Sequence, residues 1–238
     1  MTIREMQRNF MIKLRQFVEE PEIESDDVEY YLNRAQEEYV KQQHFVIRDN
    51  YRTENMNTIA IQRAIENLRS LIRKFIYTYT TSSNSSNTDL RASETIKNGL
   101  EVSLTDLPNP YAYYLRSTLQ AGSIENSLTC KIIDPTLLGK YVLTKYNSGL
   151  FREPAVLIEG QHAIVIYPAD LIPNSNYKYI LSYISFPVAM SIQSGTSCQL
   201  PDHTHNEIVD IAVNLKVEDL QKSRGLGLDK SAPIQRSE

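Results

Sequence analysis

The sequence predicts an α+β fold: an N-terminal helical bundle completed by a C-terminal helix, with an antiparallel β-rich domain inserted between them. Three observations carry this. Apolar side chains recur at helical spacing through the first 80 residues, the period changes to two beyond a polar stretch at 78–89, and helical spacing returns at 201–222. The expected organisation is therefore residues 1–80 with 200–223 as the bundle, 81–99 as a polar linker, 100–199 as the β-rich domain and 224–238 as an extended C-terminal arm.

The first helix spans 3–18, with Ile3, Met6, Phe10, Leu14, Phe17 and Val18 as its stripe and Thr2 placed to accept a first-turn amide. After Pro21, Ser25 caps a second helix reaching about Arg48. Its first turn is acidic (Asp26, Asp27, Glu29), which suits the positive helix end, and its stripe is Val28, Tyr31, Leu32, Ala35 and Tyr39. A third helix is read from Thr58 through Ile61, Ile65, Leu68, Ile72 and Phe75 to Tyr79. The run TYTTSSNSSNTD at 78–89 has turn chemistry and no apolar anchor, so it marks a boundary.

Strands are expected at Leu100–Leu104, Tyr111–Leu119 and Leu128–Ile133. Asp134-Pro135 opens a short helix to about Tyr146. A hairpin joins Ala155–Ile158 to Ala163–Tyr167 across Glu159-Gly160-Gln161-His162, and Tyr177–Phe186 adds a long strand. The last helix starts at Leu200-Pro201-Asp202 and runs to about Lys222, with Ile208, Ile211, Ala212 and Leu215 on a broad apolar face that returns to the bundle.

Of 238 residues, 41% are hydrophobic and 23% charged, the composition of a folded chain. Lys plus Arg is 25 against 29 Asp plus Glu, a net charge of -4, which excludes a surface basic all round of the kind that grips phosphates. Charges through the first twenty residues leave no apolar core for a secretory signal, and no run suits a membrane span, so synthesis in the cytoplasm is expected. Two cysteines, Cys130 and Cys198, make no disulfide framework. Fifteen Tyr and no Trp give area with a polar tip, which suits interfaces and half-buried strands.

Each chemical constellation has a plainer alternative. Cys198, His203 and His205 form C-x4-H-x-H, a pattern open to metal ligation or a Cys/His nucleophile, but residues two apart at a helix start diverge and no fourth ligand is evident. A structural His205 and a buried apolar Cys198 are the expectation. Glu207 and Asp210 share a helix face instead of opposing each other across a cleft, so they are read as solvated or paired. Gly225-Leu226-Gly227 follows a helix and lacks the Gly-Lys-Ser/Thr of a phosphate loop, so it is read as tail. Arg69, Arg73 and Lys74 are read as an exposed helix side. No catalytic, cofactor-binding or metal residue is assigned, and no enzyme is expected.

Tyr183-Ile184-Ser185-Phe186-Pro187, a short linker, and Ser197-Cys198-Gln199-Leu200-Pro201 followed by His205, Glu207-Ile208-Val209-Asp210-Ile211-Ala212-Val213 together resemble the C-terminal half of structural proteins from crAss-like tailed bacteriophages. Leu32-Asn33-Arg34-Ala35-Gln36 and Phe151-Arg152-Glu153-Pro154 are similar to that family too. The resemblance implies a ring-forming adaptor of the head-to-tail neck or tail barrel below the portal. It implies a homo-oligomer of twelve copies, contacts with the portal or neighbouring ring proteins, and genomic DNA passing through the lumen without sequence recognition. It implies no membrane partner and no cofactor. On this expectation the β region makes ring-to-ring contacts and the arm reaches a neighbour. The runner-up readings are a cytosolic hydrolase using Cys198 and a nucleic-acid-binding accessory protein.

Overall fold

Thr2 and Glu5 start the first helix by a reciprocal cap: Thr2 Oγ1 accepts the Glu5 amide at 3.3 Å, and the Glu5 carboxylate accepts the Thr2 amide at 2.8 Å. The computed structural model describes residues 1–18, 23–52, 58–79, 90–92, 99–121, 127–134, 136, 154–166 and 177–229. Four helices and a mixed sheet make the fold α+β. By contacts it divides into two units, residues 1–71 with 187–238 and residues 72–186.

The first unit holds α1 (Ile3–Leu14), α2 (Ser25–Arg52), α3 (Thr58–Leu68) and α4 (His205–Asp229). Ile3, Met6, Phe10 and Leu14 bury one stripe of α1, while Val28, Leu32, Ala35 and Tyr39 do the same for α2. α4 lies between α1 and α2 and buries Ile208, Val209, Ala212 and Val213. Tyr31 donates to Asp219 at 3.1 Å while Tyr39, eight residues further along α2, lies against Glu207 near the start of α4, so α2 and α4 run antiparallel; Lys216 also pairs with Asp27 at 3.5 Å. Lys13 meets Asp210 at 2.5 Å while the Met1 amino group meets Asp202 at 2.7 Å, so α1 and α4 run parallel.

The second unit is an eight-stranded sheet in the order β1-β8-β4-β5-β6-β7-β3-β2. Its strands are β1 (Ile72–Tyr79), β2 (Leu90–Ala92), β3 (Gly99–Ser103), β4 (Tyr111–Ala121), β5 (Leu128–Ile133), β6 (Ala155–Glu159), β7 (His162–Ile166) and β8 (Tyr177–Ser185). The expected antiparallel sheet needs one correction, because β5 and β6 pair in parallel. One face gathers into a single apolar cluster drawn from seven of the strands, including Tyr77, Val102, Leu119, Cys130, Val156, Val165, Tyr179 and Tyr183. Strands β1 and β2, at opposite ends of the order, approach each other without forming a ladder, so the sheet curls toward a barrel.

Two register shifts on β4 accompany that curl. The register against β8 shifts between Tyr111 and Tyr113 and again between Tyr114 and Arg116, so Tyr111, Tyr114, Ser117 and Leu119 share the inner face despite their uneven spacing. The β3–β4 loop closes one end, with Leu104 and Leu107 in the cluster. Tyr77 donates to the Ser103 carbonyl at 3.1 Å and Tyr183 to the Asn109 carbonyl at 3.2 Å, so the phenols that fill the interior also fasten its plug. On the opposite face of β5, β6 and β7, Ile133, Ala155, Leu157, Ile164 and Ile166 form a second buried cluster.

Several expectations change. The third helix ends at Leu68, and Ile72–Tyr79 is a strand in register with Tyr177–Ile184. The Arg69–Leu71 turn breaks the helix by i−3 bonds, Leu71 N to Leu68 O at 2.8 Å among them, and puts Phe75 and Tyr77 on the barrel's inner face. The boundary expected at residue 80 therefore falls at 71/72, and the one expected at 199/200 falls at 186/187. The supposed linker 81–99 contains β2 and the start of β3. α4 continues to Asp229, which places Gly225 and Gly227 in a helix instead of a tail. The short helix expected after Pro135 and the arm beyond Asp229 lie outside the described residues.

Candidate functional site

α2 presents Glu29, Asn33 and Gln36 along one side, at the i, i+4, i+7 spacing that aligns helical side chains. Against them runs the extended segment 187–192. Asn33 clasps Met190 from both ends: its Nδ2 donates to the Met190 carbonyl at 2.9 Å and its Oδ1 accepts the Met190 amide at 2.7 Å. Gln36 donates to the Val188 carbonyl at 3.4 Å, and the Glu29 carboxylate accepts the Ile192 amide. Gln199 Oε1 accepts the Val188 amide at 3.2 Å. Residues 188, 190 and 192 lie on one edge of an extended chain, so the side chains supply the bonds that a neighbouring strand would otherwise give.

The strap then turns back at 191–196, closed by Ser191 N to Thr196 O at 3.1 Å, with Gly195 at φ +71° where an L side chain is strained. Ser197 Oγ accepts the Ile3 amide at 3.3 Å and so ties the strap to the start of α1. Met190 and Leu200 are buried at the two ends.

The entry to α4 follows as a 3-10 turn over Asp202–Thr204. Thr204 Oγ1 donates to the Pro201 carbonyl at 2.8 Å. The buried His205 ring bonds the Leu200 carbonyl through Nε2 at 2.8 Å, and a carbonyl only accepts, so Nε2 carries the hydrogen. Its Nδ1 lies 3.6 Å from Asp202 Oδ1. His203 Nε2 reaches Asn67 Oδ1 at 2.8 Å, and Asn67 Nδ2 donates to Gln43 at 3.2 Å, which joins α4 to α3 and α2. Asp202 is held below the usual carboxylate range by its hydrogen bond with the Met1 amino group, and then by the charges of that amine and of the nearby histidines.

Of the C-x4-H-x-H residues, His203 and His205 thus have separate structural tasks, and Cys198, expected to be buried, is only partly so. Burial pushes the Cys198 thiol up to about 11, so it stays protonated at neutral pH and is no ready nucleophile. Burial likewise pushes Cys130 up to about 12 in the barrel interior. Glu207 and Asp210 are exposed, and Asp210 pairs with Lys13 of α1. Arg69, Arg73 and Lys74 span a turn and the start of β1, so they do not form the helix side expected of them. Among the described residues no group of three His, Cys, Asp or Glu could hold a metal, and no helix is long and apolar enough to cross a membrane.

No protein-family model and no curated protein matches this chain. The residues that organise the joint, Glu29, Asn33, Gln36 and Gln199, carry no chemical motif. The available signal was local: Gln36 sits among the apolar residues of α2 and is fully buried, a position that demands a bonding partner.

Proposed function

We propose that this protein is a virion structural component. Copies form a ring in the head-to-tail neck or tail barrel below the portal of a tailed bacteriophage. The ring has twelve copies, contacts the portal or neighbouring ring proteins, and surrounds a lumen through which genomic DNA passes without sequence recognition. The chain is made in the host cytoplasm and acts in the particle.

One observation carries this reading. Two of the segments that resemble ring proteins, Leu32–Gln36 and Ser197–Val213, meet in the strap and helix-entry joint, where Asn33, Gln36, Gln199, His203 and His205 hold backbone or side-chain groups in place. Polar side chains spent on joining distant pieces of one chain suit a load-carrying part of an assembly. The net charge of -4 is in keeping with a passage that does not grip phosphates. A hydrolase built on Cys198 draws no support from a thiol whose burial keeps it protonated. The Phe151–Glu153 part of the resemblance lies outside the described residues.

Gold-tagged antibodies against the chain, applied to intact tailed particles and viewed in negative stain, test the reading. Gold between head and tail is the expected result. Particles that carry control antigens but not this chain would overturn it.

A further inference from the structure

The outward side of α1 carries Arg4, Arg8, Ile12 and Arg15, all exposed and all on the ridge opposite the buried Ile3, Met6, Phe10 and Leu14. None of the three arginines has an ion-pair partner among the described residues. Glu5, the one acid of α1, already accepts the Thr2 amide. The outward side of α4 carries the opposite sign: Glu207, Asp210 and Glu218 are exposed, with Asn214 and Gln221 between and beyond them and no basic residue from His205 to Leu215. The bases that flank this ridge are engaged, Lys13 with Asp210, Lys216 with Asp27 and Lys222 with Asp219.

The two ridges also match in length. Arg4 to Arg15 and Glu207 to Glu218 each span eleven residue steps, about 16 Å of helix. Laid side by side in the same direction, Arg4 meets Glu207 and Arg15 meets Glu218, while Arg8 falls beside Asp210, whose carboxylate already pairs with Lys13 of its own chain. The apolar Ile12, 51% exposed, then falls level with Asn214 and near the half-buried Val217.

From this we infer that the α1 ridge of one copy docks on the α4 ridge of a second copy, a head-to-tail contact that repeats and closes into a ring. The inference rests on the proposed ring function and adds the contact that builds it. Different patches on the two partners are what a heterologous, ring-generating interface requires. Complementary charge of this kind sets register and rate of encounter more than total affinity, so further surface must contribute to a stable ring.

The test uses the full chain with two reversals, Arg4→Glu/Arg8→Glu/Arg15→Glu on α1 and Glu207→Lys/Glu218→Lys on α4. Circular dichroism checks the fold of each, and the milder Arg8→Gln and Glu218→Gln stand in for any that misfolds. Sedimentation velocity at low and high salt should show wild-type assemblies that weaken with salt. Each reversal alone should weaken assembly at least about tenfold, and an equimolar mixture of the two should restore it, because each then offers the other an opposite ridge. Assembly indifferent to the reversals, or a mixture that stays monomeric, overturns the pairing; so does a wild-type chain that never self-associates. If the α1 reversal abolishes retention of duplex DNA and leaves self-association intact, the ridge is a phosphate surface and the pairing is equally wrong. A ring that ignores the reversals defeats only the ridges, whereas gold labelling away from the neck defeats the location and leaves the ridges standing.

Discussion

The helical unit and the barrel use polar atoms in opposite ways. In the helical unit, side chains reach out of helices to hold backbone far away in sequence, as Asn33 does with Met190 across 157 positions. In the barrel, phenols point inward and fill the core with their rings, and the hydroxyls of Tyr77 and Tyr183 go to the rim carbonyls of Ser103 and Asn109. One unit is a set of helices joined by a few polar clasps. The other is a packed interior with its polar tips at the edge, and its strength is spread over many rings. The units should therefore fail differently: the first through single residues, the second through a collective change in its phenols.

The largest expected effect is alkaline failure of the barrel. Burial pushes Tyr114 up to about 12 and holds Tyr111, Tyr179 and Tyr183 above the ordinary phenol value of 10. Unfolded phenols ionise near 10 while the folded ones resist. Each therefore contributes stability that is complete below pH 10 and lost as pH rises toward 12 and beyond. Absorbance at 295 nm should show phenolate appearing in one cooperative step together with loss of near-ultraviolet dichroism; gradual titration without unfolding would break the comparison. In the helical unit burial also raises Tyr31, to about 12, and Tyr39, so a milder alkaline loss is expected there.

Next comes the clasp. Asn33→Ala leaves the Met190 amide and carbonyl unpaired beside a buried side chain and should cost about 2–4 kcal/mol in urea unfolding. A loss below about 1 kcal/mol would show that the strap is held by packing alone. The smallest effect belongs to the barrel's rim: Tyr183→Phe keeps the ring and drops one bond to Asn109, for about 1 kcal/mol. If it cost more than Asn33→Ala, the contrast between the units would reverse.

Elements governed by local rules were legible. β5 falls at Leu128–Ile133 as alternation and turn residues indicate, and the two-residue Gly160-Gln161 turn, with Gly160 at φ +58°, joins β6 and β7 close to the expected ends. α1 was readable from its cap and the first part of its stripe, although it ends at Leu14 instead of Val18 and leaves Phe17 exposed. β1 was not, because Ile65, Leu68, Ile72 and Phe75 keep helical spacing straight through the Arg69–Leu71 turn, with no Gly or Pro to mark the break. What decides the strand is its long-range partner, the β8 run from Tyr177 to Ile184. The parallel β5–β6 pair and the clasp of Asn33 on Met190 are equally products of tertiary placement. At the helix entry the structural role of His205 could be inferred, whereas Cys198, expected to be buried, is only partly so, and the engagement of His203 with Asn67 left no sequence signal.

The central claim is that the strap and helix-entry motif hold an assembly together and do no chemistry. The most direct measurement supplies phage lacking this gene with Cys198→Ala or Asn33→Ala in trans and counts complete tailed particles and plaques. The account predicts wild-type yields with Cys198→Ala and few joined heads and tails with Asn33→Ala. Full assembly with Asn33→Ala, or particles that are complete but dead with Cys198→Ala, would contradict it.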